Sequence, residues 1–562
     1  MRLPRALVEA LIAAAPRFSS EDRKEKLRLL DELAECSITQ PDQLLSFHET
    51  LCFLRAYPDD PAVLTRVDRA LAGFAARVER LTPVARAELH DSGIAGTTLD
   101  YPFGLPMTRW LASRFPQEVE VAWRKFEGAE RIDEALSFLV ARAEDDALSE
   151  GGLGWRKWLN VAKGGRRLTD LRLLLELVEQ AALPEEARDW LFESLELPIQ
   201  WRLRGATSRT LARLPWPRPF FHRDGVKRGD FSFVREVERP LSSIRRAPRG
   251  LAESLIESAR ASLATRLREL HAFSHPNPDD VLVAEPGRGL RIALIGLSPK
   301  FRLPLEGYYA FYVLKNGVPV SYGGGWELFG TLELGLNIFE SFRQGESAFI
   351  FSQVLRAYRQ TLGMRTVVVD PYQLGRDNLE ALKSGAFYFY HRLGFRPRDR
   401  AILRLSEGER GKIARNPSYR SPLSVLRRLA EAEMYLTLPG GSREPEKRLR
   451  ASQVSALVTR RIAREFGGDR RAAVRGAVAR VARALGVPRW RTWPEDERRA
   501  FEGLSLVAAL ILDLERWPRA DRRDLVRILR AKGGVSELPY VRLLHAHRRL
   551  RLTLRALMEA GA

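Results

Sequence analysis

Three stretches carry residue types and spacings that suit chemistry. The first is an aromatic-rich run from Asn378 to Pro397, in which Phe387-Tyr388-Phe389-Tyr390-His391-Arg392-Leu393-Gly394-Phe395 sets a phenol, Tyr390, four residues before a glycine. Its pattern predicts one helix that stops at Gly394, with an extended segment beginning at Phe395 and Pro397. The second stretch, Thr331 to Phe339, alternates strictly. Leu332, Leu334, Leu336 and Ile338 fall on one side, and Glu333, Gly335, Asn337 and Phe339 on the other. That period predicts a strand with one face in a core and the Glu333 carboxylate on the opposite face. The third is the loop Phe342-Arg343-Gln344-Gly345-Glu346-Ser347, followed by an apolar helical pattern from about Ala348 to Leu362. Unpaired N–H groups and the helix dipole make such a helix start a site for anions, here at Gly345, Glu346, Ser347 and Ala348, with Arg343 as counter-charge.

Around these stretches the element signals change twice. From residue 1 to about 215 apolar residues recur at helical spacing, in Lys26 to Leu33, Leu44 to Leu54, Ala62 to Leu81, Ile132 to Ala141 and Leu168 to Ala182. Breaks fall at Tyr57 to Pro61 and Ser149 to Gly152, and three prolines between Pro215 and Pro219 mark a boundary. A long helix is expected from about Leu251 to His271. Then come strands at Val281 to Ala284 and Arg291 to Leu297, and a hairpin, Tyr308 to Leu314 with Val318 to Tyr322, signalled by Lys315-Asn316-Gly317. Arg365 to Asp370 reads as a buried strand, Pro371 to Asp377 as a loop, and Ala401 to Leu405 as a last strand. Beyond Glu407 the chain reads as amphipathic helices, near Pro422 to Tyr435, Lys447 to Phe466, Arg470 to Leu485, Glu495 to Leu514, Arg519 to Ala531 and Tyr540 to Ala560.

The ending Tyr390-His391-Arg392-Leu393-Gly394-Phe395 resembles the Tyr-x-x-x-Gly-Phe close of the fourth helix in the GCN5-related N-acetyltransferase (GNAT) superfamily. Over roughly 290 to 405, about a fifth of the chain, the order of strands and helices is also that of the GNAT fold. The resemblance implies an acyl donor, acetyl-coenzyme A or a related acyl-CoA, with its pyrophosphate on the 343–348 loop. Glu346 stands where the family has glycine, and an acidic side chain there would repel a pyrophosphate. Tyr390 occupies the position that often supplies a proton to the departing thiolate. Glu333 is the best-placed carboxylate to act as base on the attacking amine, and Asn337 could orient substrate or water. Asn378 resembles an asparagine that contacts the cofactor arm, although an N-cap role suits it equally.

The expected fold is therefore α/β: a GNAT-like, mainly antiparallel mixed sheet flanked by helices, set between an N-terminal all-α region and a basic C-terminal all-α region. The expected division is 1–215, 216–405 and 406–562. The expected activity is N-acyl transfer from acyl-CoA to an amine. One rival keeps the fold and uses aminoacyl-tRNA as donor; another makes the GNAT-like part an inactive scaffold or a nucleic-acid-binding module.

Composition bounds these readings. Net charge is +21, and residues 396–562 hold 38 Lys plus Arg against 19 Asp plus Glu, so the excess is concentrated there. A polyanionic partner such as nucleic acid, or an acidic protein surface, would suit that block. The only cysteines, Cys36 and Cys52, do not make a disulfide framework or a Cys-based zinc site, and a cytoplasmic setting is the default. His271 and His275 are four apart with no third ligand nearby, and no metal is expected. Glu9 interrupts the apolar run after Arg5, and Leu504 to Leu512 is too short to span a bilayer, so neither a signal peptide nor a membrane span is expected.

Overall fold

Apolar alternation concentrated between residues 276 and 338 builds a sheet, and helical periodicity before and after it builds helices. In the computed structural model, residues 4–148, 152–205, 207–229, 231–441 and 448–561 are described. The first three residues of the Ser149 to Gly152 break lie outside them, as does Lys447. Residue contacts divide the chain into two compact units, one of Met1–Gly225, Ser254–Ser274 and Asn316–Pro319, the other of Val226–Glu253, His275–Lys315 and Val320–Ala562.

The first unit begins with helices Pro4–Ala14, Ser20–Glu35, Pro41–Ala56 and Pro61–Ala72. Ser19 and Asp60 cap two of them by accepting from orphan backbone N–H groups. Helical periodicity through Ala62 to Leu81 is interrupted at Gly73, and a second short helix, Phe74–Glu79, follows. The expectation of an all-α N-terminal region is corrected here. β1 (Thr98–Tyr101), β2 (Val119–Val121) and β3 (Ile199–Arg202) form an antiparallel sheet in the order β1-β3-β2. Strands of three or four residues are too short for a period of two to stand out, and their partners lie far apart in sequence. Trp201 and Leu99 from this sheet enter a core with Trp110, Trp155, Trp158 and Leu174.

The second unit is organised on one sheet of nine strands among the described residues. They are β4 (Ile244–Arg246), β5 (Pro276–Gly287), β6 (Leu290–Leu297), β7 (Gly307–Lys315), β8 (Val318–Leu328), β9 (Thr331–Ile338), β10 (Thr366–Val369), β11 (Arg396–Pro397) and β12 (Met434–Thr437). The order is β11-β12-β10-β9-β8-β7-β6-β5-β4. The described pairings are antiparallel except β9 with β10, which run parallel and are joined by helix α1 (Ser347–Leu362). The Asn316-Gly317 turn takes the positive φ values, 50° and 81°, that a two-residue hairpin requires.

Several further expectations are corrected. The long helix expected to reach His271 ends at Ala264, and Leu267 takes a φ of 55°. The single helix expected from Asn378 to Gly394 is two, α2 (Leu379–Ser384) and α3 (Ala386–Arg392), because Gly385 turns the chain at a φ of 71°. Ala401 to Leu405, read as the last strand, lies in helix Arg400–Arg415, which Asp399 starts by accepting from the N–H groups of Ala401 and Ile402. Among the described residues the last strand is β12, which begins within the segment Pro422 to Tyr435 read as helix, so the C-terminal region is not all-α. Met434 and Leu436 face the core while Tyr435 and Thr437 are half-buried, a period of two over four residues. The closing helices include Ala451–Phe466, Arg470–Leu485, Glu495–Ala508, Arg519–Ala531, α4 (Leu538–Ala546) and α5 (Arg548–Gly561). No helix among the described residues is long and apolar enough to cross a membrane.

Candidate functional site

β9 and β10 pair over only three positions, Thr331 with Thr366, Leu332 with Val367 and Glu333 with Val368. β9 then continues to Ile338 against β8 alone. Among the described residues the backbone groups of Leu334 to Ile338 that point away from β8 therefore have no strand partner. The Gln373 amide lies over Gly335, where a Cβ would come within 3.4 Å of its Nε2. Nothing in the sequence marked Gln373, which sits in what reads as an ordinary loop.

The loop that follows β9 leads into α1. Ser347, Ala348 and Phe349 are its first three residues, and their N–H groups have no intrahelical acceptor. The expected repulsion from Glu346 does not arise, because its carboxylate is turned into the protein. Oε2 accepts from Lys315 Nζ at 2.7 Å, and Oε1 accepts from Arg288 Nη2 at 2.6 Å and from the Lys227 backbone N–H at 3.0 Å. Lys315 and Glu346 are both fully buried, and burial holds the Lys315 ammonium down to about 8 despite that partner. Gly345 N–H donates to the Phe342 carbonyl, Ser347 Oγ to the Arg343 carbonyl, and Arg228 Nη2 to the Gln344 carbonyl. Arg343 itself pairs with Glu380 at the start of α2 on an exposed surface. Asn378 accepts from the Ala381 N–H at 3.1 Å, which is an N-cap.

Tyr390 is 3% exposed. Its ring lies edge-on to Phe351 of α1 at 5.8 Å between centroids and to Phe395 at 5.5 Å, with Phe389 at 5.3 Å. Burial pushes its phenol well above the ordinary value, so it stays protonated across neutral pH. Neighbouring His391 is buried with its Nε2 unpartnered, and burial together with Arg396 and Arg410 holds it down to about 4.

Glu333 is ion-paired with Arg448, which also reaches Glu433 at 2.8 Å. Glu306 stands nearby, held above the usual carboxylate range by burial and by the charge of Glu333. Glu333 and Tyr390 leave the sheet on opposite faces. A Cβ on Gly325 would meet both Leu332 and Tyr358 at about 3 Å, so Leu332 faces α1, the helix against which Tyr390 packs. Glu333, the next residue, points the other way.

The structure thus brings together the 343–348 loop, the start of α1 and the free edge of β9. Asn378 falls to a capping role, and Arg343 is engaged by Glu380. The basic groups behind Glu346 were not foreseen. Lys315 appears in the sequence only as part of a turn signal, and Lys227 and Arg288 lie more than fifty residues away. Among the described residues no group of three or more His, Cys, Asp or Glu is placed to hold a metal ion. Comparison of the chain with protein-family models, with curated proteins and with solved structures finds no match.

Proposed function

We propose that the second unit binds a phosphate-bearing acyl thioester, acetyl-CoA or a related acyl-CoA, and passes its acyl group to an amine, in the manner of the GNAT superfamily. The observation that carries this reading is the inward burial of Glu346. It removes negative charge from the start of a sixteen-residue helix and leaves the amides of Ser347, Ala348 and Phe349 for a pyrophosphate. Two further features support it. The unpaired β9 edge offers backbone donors and acceptors to an extended amide-containing arm. A parallel strand pair, β9 and β10, linked by α1 also supports it, since the resemblance expects a strand, a helix and a strand in succession here.

In this reading the amine nitrogen attacks the thioester carbonyl, the C–S bond breaks, and the thiolate leaves. Glu333, ion-paired with Arg448, is the carboxylate toward which the amine's proton moves on one face. Tyr390, kept neutral by burial, holds a proton on the other. The test is calorimetric titration of the full chain with acetyl-CoA, repeated with Ser347→Glu. The reading expects binding by the parent and its loss in the variant, whose added carboxylate stands among those amides. Absence of binding at millimolar acetyl-CoA would overturn it.

A further inference from the structure

At the other end of the β9–β10 pair lies a cavity of about 370 Å³ that the acyl-transfer reading does not use. Its walls are the β8–β9 turn at Phe329-Gly330, the first residues of β9 and β10, the turn at Gly440-Gly441, and the helices α4 and α5. Thr331 and Thr366, register partners at the strand starts, both line it. β9 is eight residues long, so this cavity is roughly 20 Å from the start of α1.

Among the described residues the charged side chains facing the cavity are of one sign: Arg365, Arg398, Arg448, Arg551 and Arg555 line it, and no described carboxylate does. The charge of Arg448 is met by Glu333 and Glu433. Arg365 Nη1 donates to the Gly440 carbonyl at 3.1 Å, which fixes the guanidinium without neutralising it. Arg551 is half-buried, its Nε is enclosed, and among the described residues its guanidinium has no hydrogen bond or ion pair. Arg551 and Arg555 are one turn apart on α5 and so present adjacent forks. His545 closes one side against Gly330, and burial with Arg365 and Arg551 keeps it below its ordinary value. Arg398 lies over the Tyr435 ring at 4.0 Å, giving the rim a flat, cationic surface.

Like charges gathered in a cavity repel one another, and enclosing a guanidinium without a partner costs stability. A bound anion relieves both. Planar guanidinium forks match phosphate oxygens, the hydroxyls of Thr331 and Thr366 add donors, and the cavity has the volume of a small-molecule site. We propose that this pocket binds the phosphate of a nucleotide, either free or at the 5′ end of a nucleic acid strand, with the Arg398–Tyr435 surface available for a base to stack on. The proposal does not depend on acyl transfer, and it accounts for part of the basic excess in 396–562.

The experiment measures binding of two labelled single-stranded RNAs of one sequence, 5′-phosphorylated and 5′-hydroxyl, to the full chain, with ATP as competitor. Each titration is repeated with Arg551→Ala, Arg551→Lys and Thr366→Glu, alongside thermal unfolding. Losing one charge-assisted contact is expected to weaken the occupying probe roughly tenfold or more in Arg551→Ala, with partial recovery in Arg551→Lys. The melting temperature should not fall, because among the described residues the Arg551 guanidinium has no hydrogen bond or ion pair to lose. Thr366→Glu places a carboxylate in the cavity and abolishes the same binding. Displacement of the phosphorylated RNA by ATP identifies a free nucleotide as the ligand. Binding of only the phosphorylated RNA, untouched by ATP, identifies a strand end. Equal affinity for both RNAs with no ATP binding, or affinities unchanged in all three variants, would overturn the proposal.

Discussion

Tyr390 shows how one residue serves both packing and a proposed chemical step. Its ring fills a site between Phe351 and Phe395, so truncation to Ala would open a cavity and cost about 3–5 kcal/mol whatever its function. Tyr390→Phe removes only the hydroxyl. If that hydroxyl protonates the leaving thiolate, kcat for acyl transfer falls about 10²-fold or more while the melting temperature holds. An unchanged kcat would assign the residue to packing alone. Glu327 supplies a pH signature of a different kind. It is fully buried, accepts from the Gly330 N–H through Oε1, and has Oε2 enclosed without a partner. Burial raises its carboxyl from 4.5 to about 8. The folded state therefore holds a proton that the unfolded chain has lost, and stability from this group falls as pH rises from about 4.5 to 8 and is level above that. Glu327→Gln keeps the acceptor and cannot ionise. It is expected to be more stable than the parent at pH 8, by on the order of 2 kcal/mol, and the difference should vanish near pH 4. A variant less stable at pH 8 would contradict this.

Among the elements, those with long, regular patterns were legible in advance. Strict alternation in β9, the Asn-Gly turn between β7 and β8, and the periodicity of α1 each predict the element that forms. Elements that failed to announce themselves are short or depend on distant partners. β3 needs β1, about a hundred residues earlier, and β12 exists because it slots between β10 and β11. Ala401 to Leu405 has a strand-like composition, and the cap at Asp399 decides it as helix. Of the candidate site, the loop and helix start were readable; the burial of Glu346 was not. No local pattern tells an acidic residue in a loop that Lys315 and Arg288 will surround it. That arrangement yields a prediction at this scale. Glu346→Ala leaves Lys315 buried without its partner and is expected to cost about 3–5 kcal/mol, read by denaturant unfolding. Adding Lys315→Met should recover much of the loss, whereas an exposed pair would show neither effect.

Across the whole molecule, the proposals give the second unit two ends for anions. One is the start of α1, where backbone amides would act without a side-chain charge of their own. The other is the arginine-lined cavity by Thr331 and Thr366, where side chains would do the binding. Acetyl-CoA carries phosphates that suit either end, so affinity alone does not tell them apart. Amide hydrogen exchange of the full chain, with and without saturating acetyl-CoA, does so directly. Binding of the acyl donor at the α1 start predicts slowed exchange at 344–350 and along 334–338, whether or not 545–555 also slows. Protection confined to 365–366 and 545–555, or no protection anywhere, would contradict the assignment of the α1 start as the acyl-donor site.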